Sequence, residues 1–342
     1  MLPRHGFSCP VAVADAVDWN RDYSKMTLGD LLAMPEEELA TVDPLAMNLL
    51  VAKGIPELAR LDISEYQATV NAWTGDFRRR CLPQWEPFFY ESPQDFRNDI
   101  RYFRLGMICQ YLDLEIGIGY NLEQRTQKKI LYTNPLDLFL NGILDTKQGT
   151  CGNMSALHVA MGWRMGWPVT LACAGSHYIC RYDDGKTIFN IEATDTGGGG
   201  WASPTDKEYI KNHKIPPRAV ATGSDLRALR RQEMLGVFVG LRARHLQDVG
   251  KSRQSEPLML RSDRDWLLAQ WLFPYGRIAY RNGMAISAIR GEELFHPHEV
   301  GHPLSFIEFL SNIFHGGPPA PPKAAPPLTE ADLNFVISTL GK

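Results

Sequence analysis

The chain has no uninterrupted apolar run of the roughly 20 residues a membrane-crossing helix needs. It has almost no net charge either. Lys and Arg total 36 against 39 Asp and Glu, leaving −3, and no long basic run stands out, so nothing points to nucleic acid or an anionic surface. Cysteine is sparse, with six in 342 residues: Cys9, Cys81, Cys109, Cys151, Cys173 and Cys180. None forms a CxxC pair, which excludes a zinc ribbon or thioredoxin-like motif, and the density is too low for a disulfide framework. No internal repeat supports a solenoid. The opening stretch "MLPRHGFSCPVAVADAVDWNRD" meets acids too early to read as a secretory leader. Together these absences predict a cytoplasmic chain with mostly free thiols and neither membrane nor nucleic-acid partners.

What is present is ordinary globular composition, 44% hydrophobic and 22% charged, over a length that suits about two domains. From Tyr23 to Cys109 apolar residues recur at three- and four-residue spacing, predicting helices interrupted near Pro35 and Pro44. Ser92, Pro93 and Asp95 read as the N-cap, first turn and capping box of one such helix. Asn134-Pro135 opens a short helix that ends in the loop 147–150. A further helix starts at Cys151, places Met154, Leu157 and Met161 on one face, and stops at Gly166. The period then changes. "VTLACA", "HYICRY" and "TIFNIEAT" are short β-rich runs separated by Gly175-Ser176 and by Asp183-Asp184-Gly185-Lys186. "TGGGGWASP" ends the sheet signal. Helices before and after an antiparallel sheet predict an α+β fold. The organisation expected is a helical region at 1–110 packed on a core at 111–215, a second helical region at 216–317, a proline-rich linker at 318–328 and a capped terminal helix at 329–342. The linker cannot build a core, so it and the C-terminal helices are candidate partner-docking elements.

The stretch "KQGTCGNMSALHVAMGWRMGWPV" sets Cys151 where a loop becomes a helix. There a thiolate is favoured by the positive end of the helix dipole. A thiol nucleophile also needs a base, and the base needs an orienting group. His177 heads the strand "HYICRY". An Asp184-Gly185 turn pairs Asp183 with Lys186, which sets Ile179 opposite Asn190 and His177 opposite Glu192. A carboxylate there would hold the imidazole, completing a Cys151–His177–Glu192 triad. Asn190 and Asp195 are the fallback orienters should the strand slip. His158, two turns along the helix, is too far from Cys151 to be the base.

In order and spacing, "GTCGNMSALHVAMGWRMGWPV", "SHYICRY" and "FNIEATDTGGG" resemble the transglutaminase-like cysteine-enzyme superfamily, which has a papain-like fold. The matching positions are Gly149 and Cys151, Arg164, Gly166 and Pro168, His177 and Tyr178, then Glu192 and Thr194, within 134–200. The resemblance implies Cys151 as nucleophile, His177 as base and Glu192 as orienting acid, with the Cys151 N–H and an upstream side chain, here Gln148, as oxyanion donors. It implies acyl transfer from amide bonds of a protein or peptide substrate through a thioester, with no cofactor. Glu192 stands where the family more often has Asp, and Gly152 where it often has Trp. With no amine site identified, hydrolysis by an amidase, peptidase or deamidase is expected over transfer to an amine.

Two other classes stay open. "HPHEVGHPLSFIE" contains HExxH as His298, Glu299 and His302, a zinc-hydrolase pattern when it lies on a helix. Pro297, Gly301 and Pro303 argue against a continuous helix there, so no metal is expected. The remaining alternative is a papain-like binding module without activity, the aromatic-rich C-terminal helices holding a partner.

Overall fold

The computed structural model describes residues 16–125, 132–175, 177–194, 201–215, 220, 225–250 and 258. The fold mixes helix and sheet, as an α+β chain should. The C-terminal helices beyond these residues, the proline-rich linker and the terminal helix all lie outside them. Five of the six cysteines are described, and each is a free thiol. Among the described residues no helix is long and apolar enough to cross a membrane.

Short acidic caps set the N-terminal helices. Asp43 accepts from the Leu45 N–H at the start of α1 (Pro44–Ala52), and Asp62 from the Ser64 N–H at the start of α2 (Ile63–Asp76). The expected start at Ser92 is not one. Pro93–Phe96 is a single 3-10 turn without a side-chain cap. It is followed by Arg97 and Asn98 at φ of 57° and 54°, a left-handed pair that no helix can pass through. Helix α3 (Ile100–Gln110) begins beyond this break, capped by Asp99. Sequence spacing alone favoured the earlier Ser-Pro signal because both sites carry a capping residue.

After α3 come β1 (Gly119–Tyr120), α4 (Leu140–Thr146) and β2 (Gln148–Gly149); β1 and β2 pair in parallel. Helix α5 (Cys151–Arg164) follows. Met154, Leu157 and Met161 are buried as expected, but so is every residue from Gly152 to Trp163. Such a helix has no solvent face; it is the centre of the molecule, with α1, α2, α3 and α4 on its flanks and the larger sheet across it. Gly166, at φ +78°, ends it as predicted. The N–H of Trp167 returns to the Gly162 carbonyl at 2.9 Å, the signature of a glycine-terminated helix.

The sheet has the order β3–β4–β5 (Val169–Ala174, His177–Asp183, Ile188–Ile191), antiparallel throughout. Its second hairpin departs from the predicted register. Asp183 pairs with Ile188, and Arg181 with Asn190, so the strands are offset by two residues from the Asp183–Lys186 pairing. The cause lies in the turn. Asp184 uses its carboxylate to accept from the Lys186 and Thr187 N–H groups at 2.9 and 2.7 Å, widening the loop to four residues. A slip of two keeps every side chain on its face, where a slip of one would have reversed them. Cys180, Tyr182, Phe189 and Ile191 therefore still join the main core. Ile179, on the other face, sits in a smaller cluster with Ala172, Ala174, Tyr209, Ile215 and Leu226. Past "TGGGG" the chain rejoins the sheet, Glu192 bridging Ala202. Two further helices cover this core, α6 (Asp206–Asn212) and α7 (Arg231–Asp248).

At its C-terminal end α5 is tied to α1 by charge. Arg164 donates to Asp43 Oδ1 and Oδ2 at 3.1 and 2.6 Å, and to Asn71 at 2.6 Å. The Arg164 side chain is 6% exposed and that of Asp43 is fully buried. Replacing Arg164 alone by Met removes both charge-assisted bonds from the buried Asp43 carboxylate, and urea unfolding is expected to show a loss of about 3–5 kcal/mol. The double variant with Asp43→Asn should recover part of that loss.

Candidate functional site

Cys151 is the first residue of α5, and its position is fixed by the cap before it. Thr150 and Asn153 form a reciprocal capping box. Thr150 Oγ1 also donates to the Asp137 carbonyl at 2.7 Å, and Asn153 Nδ2 to the carbonyls of Phe139 and Leu136 at 3.1 and 3.2 Å. The helix start is thus bolted to the turn that precedes α4. Gly149 packs so closely beneath it that a Cβ there would stand 2.6 Å from Asn153 Oδ1 and 2.7 Å from Met154 Cγ. The glycine before the cysteine is needed for this approach of helix and loop.

His177 opens β4. Its Nε2–H donates to Glu192 Oε2 at 2.8 Å, and Cys151 lies near enough to raise the pKa of the ring. With Nε2 committed to the carboxylate, Nδ1 is the nitrogen left for the sulfur. The site is recessed but open: the side chains of His177 and Glu192 are 17% and 13% exposed, and Cys151 is half-buried. His177 and Glu192, two of the three residues named from sequence, meet directly, although through a different pairing, and Cys151 lies near enough to shift the imidazole. Across the strands Glu192 is one step diagonal to His177, where Cβ atoms stand roughly 7–8 Å apart. The extra methylene of Glu over Asp spans that gap.

Every acceptor direction of Glu192 is used. Tyr209 Oη donates to Oε2 at 2.9 Å, and the Thr194 N–H and hydroxyl donate to Oε1 at 3.1 and 2.6 Å. Burial pushes the Glu192 pKa up, but His177 and Thr194 outweigh it and hold the group down at about 2. Burial also disfavours a charged His177, yet the neighbouring Cys151 and the bond to Glu192 raise it to about 10. A carboxylate and an imidazolium at neutral pH are the consequence.

Helix and strand are locked together one turn beyond the cysteine. Ser155 Oγ donates to the Tyr178 carbonyl at 2.9 Å, and the Cys180 thiol to the Ser155 carbonyl at 3.1 Å. His158 is occupied elsewhere, as expected of a residue two turns along. Its Nδ1 meets the Met154 carbonyl at 2.9 Å and its Nε2 the Cys109 sulfur at 3.1 Å, and burial lowers its pKa to about 4.

The fallback residues take other work or fall outside the described residues. Asn190 accepts from Arg181 at 2.6 Å and donates to Asp206 at 2.8 Å and to the Pro204 carbonyl at 3.1 Å. It serves the attachment of α6, not the imidazole. Gln148 is exposed, its backbone paired with Gly119. Asp195, and His298, Glu299 and His302 of the HExxH stretch, lie outside the described residues. Among the described residues no group of three His, Cys, Asp or Glu side chains is placed to hold a metal ion.

Sequence reading missed two contributors, Tyr209 and His213. Tyr209 reaches Glu192 from α6, and His213, at the end of the same helix, stacks on His177 with ring centroids 5.4 Å apart. Helical spacing puts the two on one face, but nothing in a single sequence says that this face meets the hairpin. No family model matches the chain, and neither a curated protein nor a solved structure matches it.

The two charged groups contribute to stability over opposite ranges. His177, raised from 6.5 to about 10, contributes fully below pH 6.5 and loses that contribution as pH climbs through about 10. Glu192, lowered from 4.5 to about 2, contributes above pH 4.5 and loses it as pH falls through about 2. In Glu192→Gln the His177 ring should give up its proton roughly 1–3 pH units earlier, read by NMR titration of the imidazole Cε1 proton and assigned against His177→Gln.

Proposed function

We propose that the chain is a cysteine-dependent acyl-transfer enzyme with a papain-like core of the transglutaminase-like superfamily, hydrolysing amide bonds of a protein or peptide. One observation carries the reading: a single imidazole bonds to a carboxylate whose other acceptor sites are filled, and its pKa is raised by the Cys151 thiol at the start of a buried helix. That is the nucleophile–base–orienter relation of a catalytic triad. The motif order quoted above supports the same assignment, and Thr194 fits as the partner of the acid.

In this mechanism His177 holds the proton taken from Cys151, and the thiolate attacks the amide carbonyl carbon. The Cys151 N–H, which the capping box leaves unengaged, faces the developing oxyanion together with the positive end of α5. The C–N bond breaks as the amine, or ammonia from a side-chain amide, takes the proton from His177. A water then gives its proton to His177 and attacks the thioester carbon, and the C–S bond breaks to release the acid, leaving the proton shared between His177 and Cys151 as at the start. Glu192 stays ionised throughout and keeps Nδ1 facing the sulfur. Tyr209 and Thr194 hold the carboxylate still. Water is the acceptor in this reading because no described residue at the site is suited to select an amine.

The test is alkylation of the full chain by iodoacetamide between pH 4 and 9, resolved cysteine by cysteine by peptide mass spectrometry. Cys151 is expected to react at pH 6 at least about tenfold faster than Cys81, Cys109, Cys173 or Cys180, with His177 acting as its base. His177→Ala should abolish the advantage, and Glu192→Gln should reduce it. A Cys151 no faster than the buried cysteines would leave the fold standing without the chemistry.

A further inference from the structure

Helix α6 turns one face onto the candidate dyad. Tyr209 and His213 are four residues apart, hence neighbours on the helix surface; the first bonds to Glu192 at 2.9 Å and the second covers His177. The His213 and His177 rings are parallel to within 5°, with centroids 5.4 Å apart, inside the roughly 6 Å over which a ring face attracts a cation. Tyr209 lies beside His213 at 5.7 Å. Gly175, on the turn before His177, has φ +67°, a conformation that favours glycine, and its own Cα faces His213, from whose Cβ an added Cβ would stand at an ordinary contact distance of 3.6 Å.

We propose, building on the Cys151–His177 reading, that His213 is a positioning residue: its neutral ring stacks on the His177 imidazolium, fixes the ring plane and stabilises the positive charge. Once that charge is present, a second proton on His213 would set two parallel cations face to face. Burial and the His177 charge both hold His213 below its ordinary value of 6.5. The titratable groups facing it are His177 and Glu192 from the hairpin and Tyr209 from its own helix. Behind Gly175 lies Asp225, which accepts the Gly175 N–H at 2.5 Å and is raised by burial to about 6. Of these, His177 is the group whose ring lies parallel to its own.

The experiment compares alkylation of Cys151 by iodoacetate and by iodoacetamide in the full-length protein from pH 5 to 11. The anionic reagent is favoured while His177 is charged, so the ratio of the two rates follows the imidazolium and falls as it deprotonates. His213→Ala and His213→Gln are each expected to move the midpoint of that fall down by about one pH unit, a tenfold change in the protonation equilibrium. His213→Phe, which keeps an aromatic face and cannot titrate, should restore it to within about 0.3 unit of wild type. A midpoint unmoved in Ala and Gln overturns the proposal, as does a Phe variant that falls with them. If wild-type Cys151 reacts no faster than Cys81 with either reagent, the dyad itself is wrong and this proposal goes with it. A failure confined to the variants leaves the dyad intact.

Discussion

The site depends on the burial of one helix on every side. From Gly152 to Trp163 no residue of α5 reaches solvent, so the helix can neither roll nor slide without opening the core. Close packing of this kind transmits position rigidly. The cap at Thr150 and Asn153 fixes the height of Cys151, and the Ser155–Tyr178 bond fixes the distance from helix to strand. The start of α5 and the start of β4 are therefore held in a fixed relation. A reactive group carried on such elements is held more closely than one carried on a turn.

The carboxylate side of the site is built differently, from polar groups that satisfy one another. Arg181, two residues along the same strand face as His177, is 5% exposed. It binds Asp206 at 2.8 and 3.1 Å and Asn190 at 2.6 Å. This network anchors the first turn of α6 to the hairpin. Anchoring that turn delivers Tyr209 to Glu192 and His213 to His177 one and two turns further on. Asn190 thus supports the site at one remove. A buried guanidinium of this kind is tolerable because its charge is matched by the Asp206 carboxylate.

Glutamate in place of aspartate finds its account in the register. Carried one residue past the last observed pair, Cys180 with Ile191, the register sets the acid opposite Ile179 and diagonal to His177, and an aspartate would fall short by about one bond. The longer side chain reaches, and its freedom is removed by Thr194 on one oxygen and Tyr209 on the other. The two-residue slip set by Asp184 and the extra methylene of Glu192 compensate each other.

Local chemistry by itself determined a good part of this protein. The cysteine at a helix start, the stop at Gly166, the three strands and the alternation that puts His177 and Glu192 on one face all follow from capping, glycine geometry and period-two patterning, which act over a few residues. Neighbouring residues left undecided whether Ser92 or Asp99 starts α3, because both carry capping chemistry and only packing chooses. They could not fix the hairpin register either, since Asp184 closes a two- or a four-residue loop with the same side chain. The burial of α5 on all faces, the ion pair of Arg164 with Asp43 across 121 positions, and the arrival of Tyr209 and His213 over the dyad were decided by tertiary structure alone. Each joins segments whose meeting depends on the whole core closing, and no local pattern records that.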